Sequence, residues 1–329
     1  MKQVTCNKDD FLQSINGRDS VLVCSASFED RCLSAPLALD PANFRAVIIF
    51  RNDDVGTAGL KNCEILRKHF GDIAEIIVIS KDDPTKTADE MSRMFHLCKI
   101  SSKSGVHIDI TCFTKEALLI LLRVMSYRIP VKANITLLYN VAEHYGGAGQ
   151  SGRSRWLSKG VSAIRPVLGY AGSFLSSKPI HLVVLSGYEI DRLSTLFDSV
   201  IPSKVTILRS RNTLSEPKAS AEFRSSVLLS ARRLYGNASE LLFDPYSIKN
   251  TISMLSDLRR ETGDECTMSI APLSTKMSTI SVGLFAMINE DIQLIYAKPA
   301  IYNKRKYSTP SEKFIVARFN IDEVERQLS

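Results

Sequence analysis

Two loops in this chain place a hydroxyl directly before an ammonium, Thr114-Lys115 and Thr275-Lys276, each behind an apolar run of strand length and ahead of a segment of helical period. At a helix N-terminus such a pair stands beside free backbone N–H groups, and the three together make an anion site whose natural occupant is a phosphate. Two more loops follow apolar runs: Ser25-Ala26-Ser27-Phe28-Glu29-Asp30-Arg31 and Ser186-Gly187-Tyr188-Glu189-Ile190-Asp191-Arg192. The candidate ligand-binding residues are therefore Ser25, Ser27, Asp30, Arg31, Thr114 and Lys115 in the first half, and Ser186, Gly187, Asp191, Arg192, Thr275 and Lys276 in the second. A structural alternative stands beside each. Thr114 and Thr275 can be helix N-caps with exposed lysines behind them, and Asp30 and Asp191 can be N-caps followed by arginines that serve as surface charges or intradomain partners. Repetition is what favours a ligand for the lysines, because a lysine near a helix's positive end costs about a few tenths of a kcal/mol and something must offset that cost twice.

The elements that position these loops alternate regularly. Strand-length apolar runs begin with Val21-Leu22-Val23-Cys24, Ala46 to Phe50, Glu75 to Ile79, His107 to Ile110 and Asn134 to Tyr139, with helical segments near 57–70, 85–101 and 114–128 between them. A second set, Leu182 to Leu185, Lys204 to Leu208, Ser239 to Phe243, Cys266 to Ile270 and Ile292 to Tyr296, repeats the rhythm. Val- and Ile-rich strands alternating with helices imply parallel pairing, helices on both faces and right-handed crossovers. The restart is a duplication. Val21 to Arg31 (VLVCSASFEDR) lies over Leu182 to Arg192 (LVVLSGYEIDR) without a gap, and Arg31 and Arg192 are separated by 161 residues, as are Lys115 and Lys276. Leu66 to Gly71 and Ala231 to Gly236 match between them as a basic helix end with a glycine stop. Three ordered matches identify a tandem repeat. The expected architecture is α/β: two tandem Rossmann-like, doubly wound parallel-sheet units in a pseudo-two-fold arrangement. The expected boundaries are 1–145 for the first unit, 146–178 for a Gly- and Ser-rich connecting segment, 179–303 for the second unit and 304–329 for a basic C-terminal tail. Ligands in open parallel sheets bind beyond the carboxyl ends of the strands, where all four loops lie.

Composition excludes several classes. Apolar runs such as Ala117 to Leu122 are far shorter than the ~20 residues a spanning helix needs, so no membrane partner is expected. The first ten residues carry Asp9 and Asp10 where a signal peptide needs an apolar core, which points to a cytoplasmic chain. Five histidines and seven cysteines are dispersed without metal-ligand spacing, so neither a metal nor any other cofactor is expected. The net charge of +7 comes from 42 basic and 35 acidic residues spread together, and only weakly indicates direct DNA or RNA binding. Local basic clusters at Arg153 to Lys159, Arg209-Ser210-Arg211 and Lys304-Arg305-Lys306 read as solvated surface. Walker A, GxSxG and HExxH sequences are absent, and no GxGxxG follows the first strand.

Ile108-Asp109-Ile110-Thr111-Cys112-Phe113-Thr114-Lys115 and Ser269-Ile270-Ala271-Pro272-Leu273-Ser274-Thr275-Lys276-Met277 share an outline. A Thr-Lys loop after a fourth strand in a tandem Rossmann-like frame resembles the CARF (CRISPR-associated Rossmann fold) and related nucleotide-sensor domains of prokaryotic antiviral defence. In that family the loop ends in Gly-Thr-Lys or similar, and two copies face each other to bind a cyclic oligoadenylate. Phe113 and Ser274 stand here where the family has glycine. The resemblance implies a sensor of a nucleotide or cyclic oligonucleotide, with Lys115 and Lys276 on phosphates and Ser25, Ser27, Ser186 or Gly187 lining the cleft. Output would pass through a separate effector protein, since no effector domain follows the second unit. A metal-independent enzyme that cleaves a cyclic oligonucleotide is the alternative, and a scaffold subunit without a small ligand is a second.

The cysteine pattern yields a test of its own. All seven should titrate as free thiols in native protein, and mass spectrometry under non-reducing conditions should show no intact disulfide; two or more bridges would overturn the assignment.

Overall fold

The computed structural model describes residues 1–13, 15, 20–145, 157–173, 177–187, 192–211, 225, 228–229, 232–233, 238–304 and 307–328. They form two units, Met1–His144 with Ser308–Ser329, and Tyr145–Tyr307. In the first, β1 (Lys2–Cys6) and α1 (Lys8–Gln13) precede β2 (Ser20–Ala26), α2 (Arg31–Ser34), β3 (Phe44–Asn52), α3 (Gly56–Phe70) and β4 (Ala74–Ile79). Then follow α4 (Pro84–Cys98), β5 (Gly105–Asp109), α5 (Lys115–Arg128) and β6 (Asn134–Tyr145). The second holds β7 (Ser158–Pro166), β8 (Ile180–Ser186), α6 (Arg192–Val200), β9 (Lys204–Ser210), β10 (Ala238–Phe243), α7 (Ile248–Thr262), β11 (Thr267–Pro272), α8 (Lys276–Ile288) and β12 (Gln293–Tyr302). The chain then returns to the first unit with β13 (Ser308–Phe319) and α9 (Ile321–Leu328).

The protein is α/β, with two mostly parallel, Rossmann-like sheets. The seven-stranded sheet has the order β1-β13-β6-β5-β2-β3-β4 and the six-stranded sheet β10-β9-β8-β11-β12-β7. Numbering the parallel strands of each unit from its start, both run 5-4-1-2-3, so the duplication read from sequence is present in the topology. All ten strands foreseen are found. They form because β-branched and aliphatic runs fit a pleat covered on both sides. Every residue of β2 is buried, as is every residue of β11.

One face of the first sheet packs Leu22, Cys24, Ala26, Val47, Ile49 and Leu138 against Cys63, Leu66 and Phe70 of α3. In the second, Leu182, Val184, Val205, Ile207, Ile295 and Ala297 pack against Leu193, Leu196 and Phe197 of α6. Leu182 therefore faces the way Leu22 does, not the way Val21 does. The ungapped match of VLVCSASFEDR to LVVLSGYEIDR is off by one within the strand, and a slip of one residue turns every side chain to the other face. The match does hold at the helix starts, since Arg31 and Arg192 are the first residues of α2 and α6, and Lys115 and Lys276 those of α5 and α8. The second copy of the glycine-stop match contains Ala231, Leu234, Tyr235 and Gly236, which lie outside the described residues. In the first copy Gly71, at φ +60, ends α3 as expected, its N–H donating to the Arg67 carbonyl.

Two expected boundaries are corrected. The connecting segment 146–178 contains β7, which pairs antiparallel with β12 as the edge of the second sheet. Gly146, Gly147, Gly149 and Gly152, together with Arg153 and Arg155, lie outside the described residues. The tail 304–329 is not a tail: β13 lies between β1 and β6, antiparallel to β1 from Lys2↔Arg318 to Cys6↔Phe314, and it buries Phe314, Ile315, Val316, Ala317 and Phe319. Of the Lys304-Arg305-Lys306 cluster, Arg305 and Lys306 lie outside the described residues. Asn320 then caps α9, its Oδ1 accepting from Glu323 N at 2.8 Å. Among the described residues no helix is long and apolar enough to cross a membrane.

Each large aliphatic or aromatic side chain stabilises by about 1.5–3 kcal/mol when buried, so losing those of β13 removes as much as the whole net stability of an ordinary domain, about 5–15 kcal/mol. A chain ending at Lys304 should therefore leave residues 1–144 without cooperative unfolding, read by circular dichroism and urea titration. Deletion of a true tail would move stability by less than about 0.5 kcal/mol.

Candidate functional site

Thr114 and Thr275 are N-caps. Each has extended backbone, and Thr114 Oγ1 accepts from Ala117 N at 3.2 Å while Thr275 Oγ1 accepts from Ser278 N at 3.1 Å. Capping satisfies one of the four open N–H groups of each helix and leaves the remainder at the carboxyl end of the fourth parallel strand. Lys115 and Lys276 are both half-buried. The Lys276 side chain makes no hydrogen bond or ion pair among the described residues.

In the second unit the loops after the first and fourth strands meet backbone to backbone. A Cβ built on Gly187 would lie 2.8 Å from the Leu273 carbonyl oxygen and 2.8 Å from Ser274 Cα, so only glycine fits. Leu273 N donates to the Leu185 carbonyl at 2.9 Å. Gly187 is thus brought to the loop that carries Thr275 and Lys276. Ser186, just before it, is 3 % exposed, and its Oγ has no hydrogen-bond partner among the described residues. Asp191 lies outside the described residues. In the first unit Ser25 is buried on the face opposite Cys24, and Ser27 shapes its own turn: Glu29 N donates to Ser27 Oγ at 3.4 Å and Asn62 Nδ2 to the Ser27 carbonyl at 3.0 Å. Asp30 is exposed; it occupies the N-cap position of α2 without a capping hydrogen bond and accepts from Asn62 Nδ2 at 3.3 Å.

The arginines do not line the cleft. Arg31 and Arg192 are each 2 % exposed, and each reaches across the sheet to a carbonyl of the fifth parallel strand, Arg31 to Asn140 and Arg192 to Ala297 at 2.8 Å. They belong to the fold, which is the intradomain alternative named for them above. Arg31 also lies 3.4 Å from Glu29 Oε2 and 3.3 Å from Ser308 Oγ, while Ser308 Oγ donates to Glu29 at 2.5 Å. Its guanidinium stands 5.5 Å from the centre of the Tyr139 ring.

Beneath Arg31 is a cluster that the sequence reading passed over. Asp109, at the end of β5, is 1 % exposed and accepts from Thr111 N at 3.1 Å and from Thr111 Oγ1; Thr111 Oγ1 in turn accepts from Asn140 N at 3.0 Å. Burial raises the Asp109 carboxyl to about 6, against the opposing pull of the Thr111 hydrogen bonds and the Arg31 charge. Burial likewise raises the neighbouring Cys24, Cys32 and Cys112 thiols, Cys32 to about 12, so these sulfurs are inert in the folded protein and the thiol titration expected above reaches them only on unfolding. All seven cysteines are free. A carboxylate within Ile108-Asp109-Ile110 was the available signal, since a strand covered on both faces has no ordinary place for one.

A cavity of about 320 Å³ in the second unit lies at the amino end of β11, between Lys178, Arg260, Asp264 and the Arg259–Asp291 ion pair. It holds none of the expected residues.

No family model matches the chain, and no curated protein does. Among solved structures it is similar to an rRNA methylase from Streptococcus thermophilus, at 14 % identity over 40 % of this chain and 68 % of that one, with a TM-score of 0.25. It is similar to the cytoplasmic domain of a prokaryotic cation chloride cotransporter at 11 % identity, over 86 % of this chain and 96 % of that one, with a TM-score of 0.26. The phosphoethanolamine N-methyltransferase 1 of Haemonchus contortus gives 8 % identity, 95 % and 90 % coverage and a TM-score of 0.25. At such scores these likenesses carry no argument about activity, and none of the three is a CARF protein.

Replacing one member of a buried ion pair costs about 3–5 kcal/mol, because the other charge is left uncompensated. Arg31→Met should therefore lose about that much in urea unfolding. Arg67→Met breaks only the exposed 2.9 Å pair with Glu64 and should lose less than about 1 kcal/mol. Equal losses would refute the structural role given to Arg31.

Proposed function

We infer that the protein binds a phosphate-bearing nucleotide ligand, a cyclic oligonucleotide being the best fit to its CARF-like outline, through the Thr-Lys loops of its two units. The observation that carries this reading is the recurrence, after the fourth parallel strand of both units, of a capped helix start whose first residue is a half-buried lysine. A lysine there opposes the helix dipole, and an anion at the open N–H groups would offset that cost. Gly187 supports it further, since the close backbone approach it allows holds the first-strand loop against the loop that carries Thr275 and Lys276. The reading carries with it a cytoplasmic setting in prokaryotic antiviral defence or stress, and a separate effector polypeptide that receives the signal.

Each lysine would supply one charge-assisted contact of about 1.5–3 kcal/mol. Lys115→Ala and Lys276→Ala should each weaken binding roughly tenfold or more while leaving unfolding midpoints within about 0.5 kcal/mol of wild type. Calorimetry with a panel of linear and cyclic oligonucleotides on the three proteins reads this directly. Unchanged affinity in both variants, or no binding across the panel, removes the sensor reading and leaves the scaffold.

A further inference from the structure

The two units differ at one place where their folds coincide. Asp109 pairs with Leu138, and alternation puts Asp109, Thr111, Leu138 and Asn140 on the face that packs toward α2 and α3. On the same face of the second unit, the carboxyl ends of the fourth and fifth parallel strands carry Ala271, Leu273, Ile295 and Ala297. The arginine above is common to both, bonded to the carbonyl of Asn140 in one and of Ala297 in the other. An apolar floor is therefore sufficient for the fold, and the first unit has a polar one.

That polar floor is one hydrogen short. Asp109 Oδ2 and Asn140 Oδ1 are both buried acceptors without a partner among the described residues. The orientation of the Asn140 amide is fixed, because its Nδ2 donates to the Ser311 carbonyl at 2.7 Å. Charge is unbalanced in the same sense. Arg31 from α2 is engaged by Glu29 of the preceding loop, and the remaining titratable groups around Asp109, Cys24 of β2, Cys32 of α2 and Cys112 of the loop after β5, hold their protons. Thr111 Oγ1 links the two residues, accepting from Asn140 N and donating to Asp109, and a carboxylate acceptor becomes a donor when it gains a hydrogen.

We propose that Asp109 is a proton-binding site of the folded first unit: its carboxylate takes one proton from solvent as the medium becomes weakly acidic, and the new O–H is received by Asn140 Oδ1. The uptake neutralises the buried charge and satisfies both open atoms in one step. Because Thr111 is held through the other oxygen of the same carboxyl group and lies three residues before Thr114, the proton also sets the loop that leads into α5. The proposal does not depend on what that loop binds.

The folded state holds this proton more tightly than the unfolded chain, about 6 against the ordinary 3.8. The proton therefore adds stability that is complete below the ordinary carboxyl range and is lost as pH rises through about 6, a change on the order of a hundredfold in the folding constant. His107 and His181, whose burial lowers them to about 4, act oppositely and make the whole protein lose stability on acidification. Only a difference between two proteins isolates Asp109. Asp109→Asn places a permanent N–H donor where the O–H would be. In urea unfolding from about pH 8 to about pH 4.5, the variant should be more stable than wild type at the alkaline end, by up to about a hundredfold in the folding constant, and the gap should narrow steadily as pH falls below about 6 toward the ordinary carboxyl range. A gap independent of pH, or a variant weaker than wild type at the alkaline end, overturns the proposal. The carboxyl-carbon resonance of Asp109 in wild-type protein decides the case should the variant not fold. Titration in the weakly acidic range supports the site, and titration in the ordinary carboxylate range refutes it.

Discussion

Both units depend on an arginine that leaves the sheet and comes back to it. Arg31 and Arg192 each open the helix that follows the first parallel strand, and each ends on a carbonyl of the fifth, two strands away across the fourth. A carbonyl at the end of a covered strand has no water to accept from, and an unmade hydrogen bond there costs about 1–3 kcal/mol. The guanidinium meets that need with a charge-assisted donor, and in doing so fixes where the chain turns after strand one. Everything at the carboxyl edge follows from that turn, including Ser27 or Gly187 above it and the fourth-strand loop beside it.

The second constraint is topological. Each sheet ends its parallel run with the fifth strand, β6 or β12, and each fifth strand gains a further neighbour from the segment that follows the other unit's fifth strand. β7 follows β6 in the chain and pairs with β12; β13 follows β12 and lies beside β6. The exchange is reciprocal. It covers what would otherwise be an open strand edge in both sheets, which is a liability in any soluble fold. In the first unit it also brings Ser308 to Glu29 and Arg31, so the arginine network closes only when the last strand has arrived.

The parallel strands were legible because burial on both faces writes a continuous apolar run, and the helix starts because threonine before a helical segment is a capping signal with a mechanism. β1, β7 and β13 were not. β1 leaves Lys2, Val4 and Thr5 exposed, and β7 exposes Lys159 and Gly160, so neither writes such a run. The apolar half of β13, Phe314 to Ala317, sits behind a stretch of lysines and serines that reads as surface. The arginines were visible as a repeated pair, but a sequence does not say whether a long cation turns outward or inward. The one-residue slip in the first strand was hidden for a related reason. Identity at Arg31 and Arg192 drew the alignment into register at the helix, while facing is set within the strand, and a single residue in the loop between absorbs the difference.

Asp109 shows why a buried polar group is informative when a duplicate is present for comparison. Taken alone, a hydrogen-bonded carboxylate under an arginine is weak grounds for a role, since well-packed apolar groups in such places are often as stable or more so. The second unit supplies the comparison within the same chain: Ala271, Leu273 and Ala297 fill the equivalent face, with the same arginine above them. Stability of this architecture therefore does not require Asp109, Thr111 and Asn140. A carboxyl group held at about 6 in the one unit, against an apolar floor in the other, makes the two halves respond differently to the same solvent although their topology is the same. That asymmetry is a property neither unit has alone, and it arises from three side chains on two adjacent strand ends.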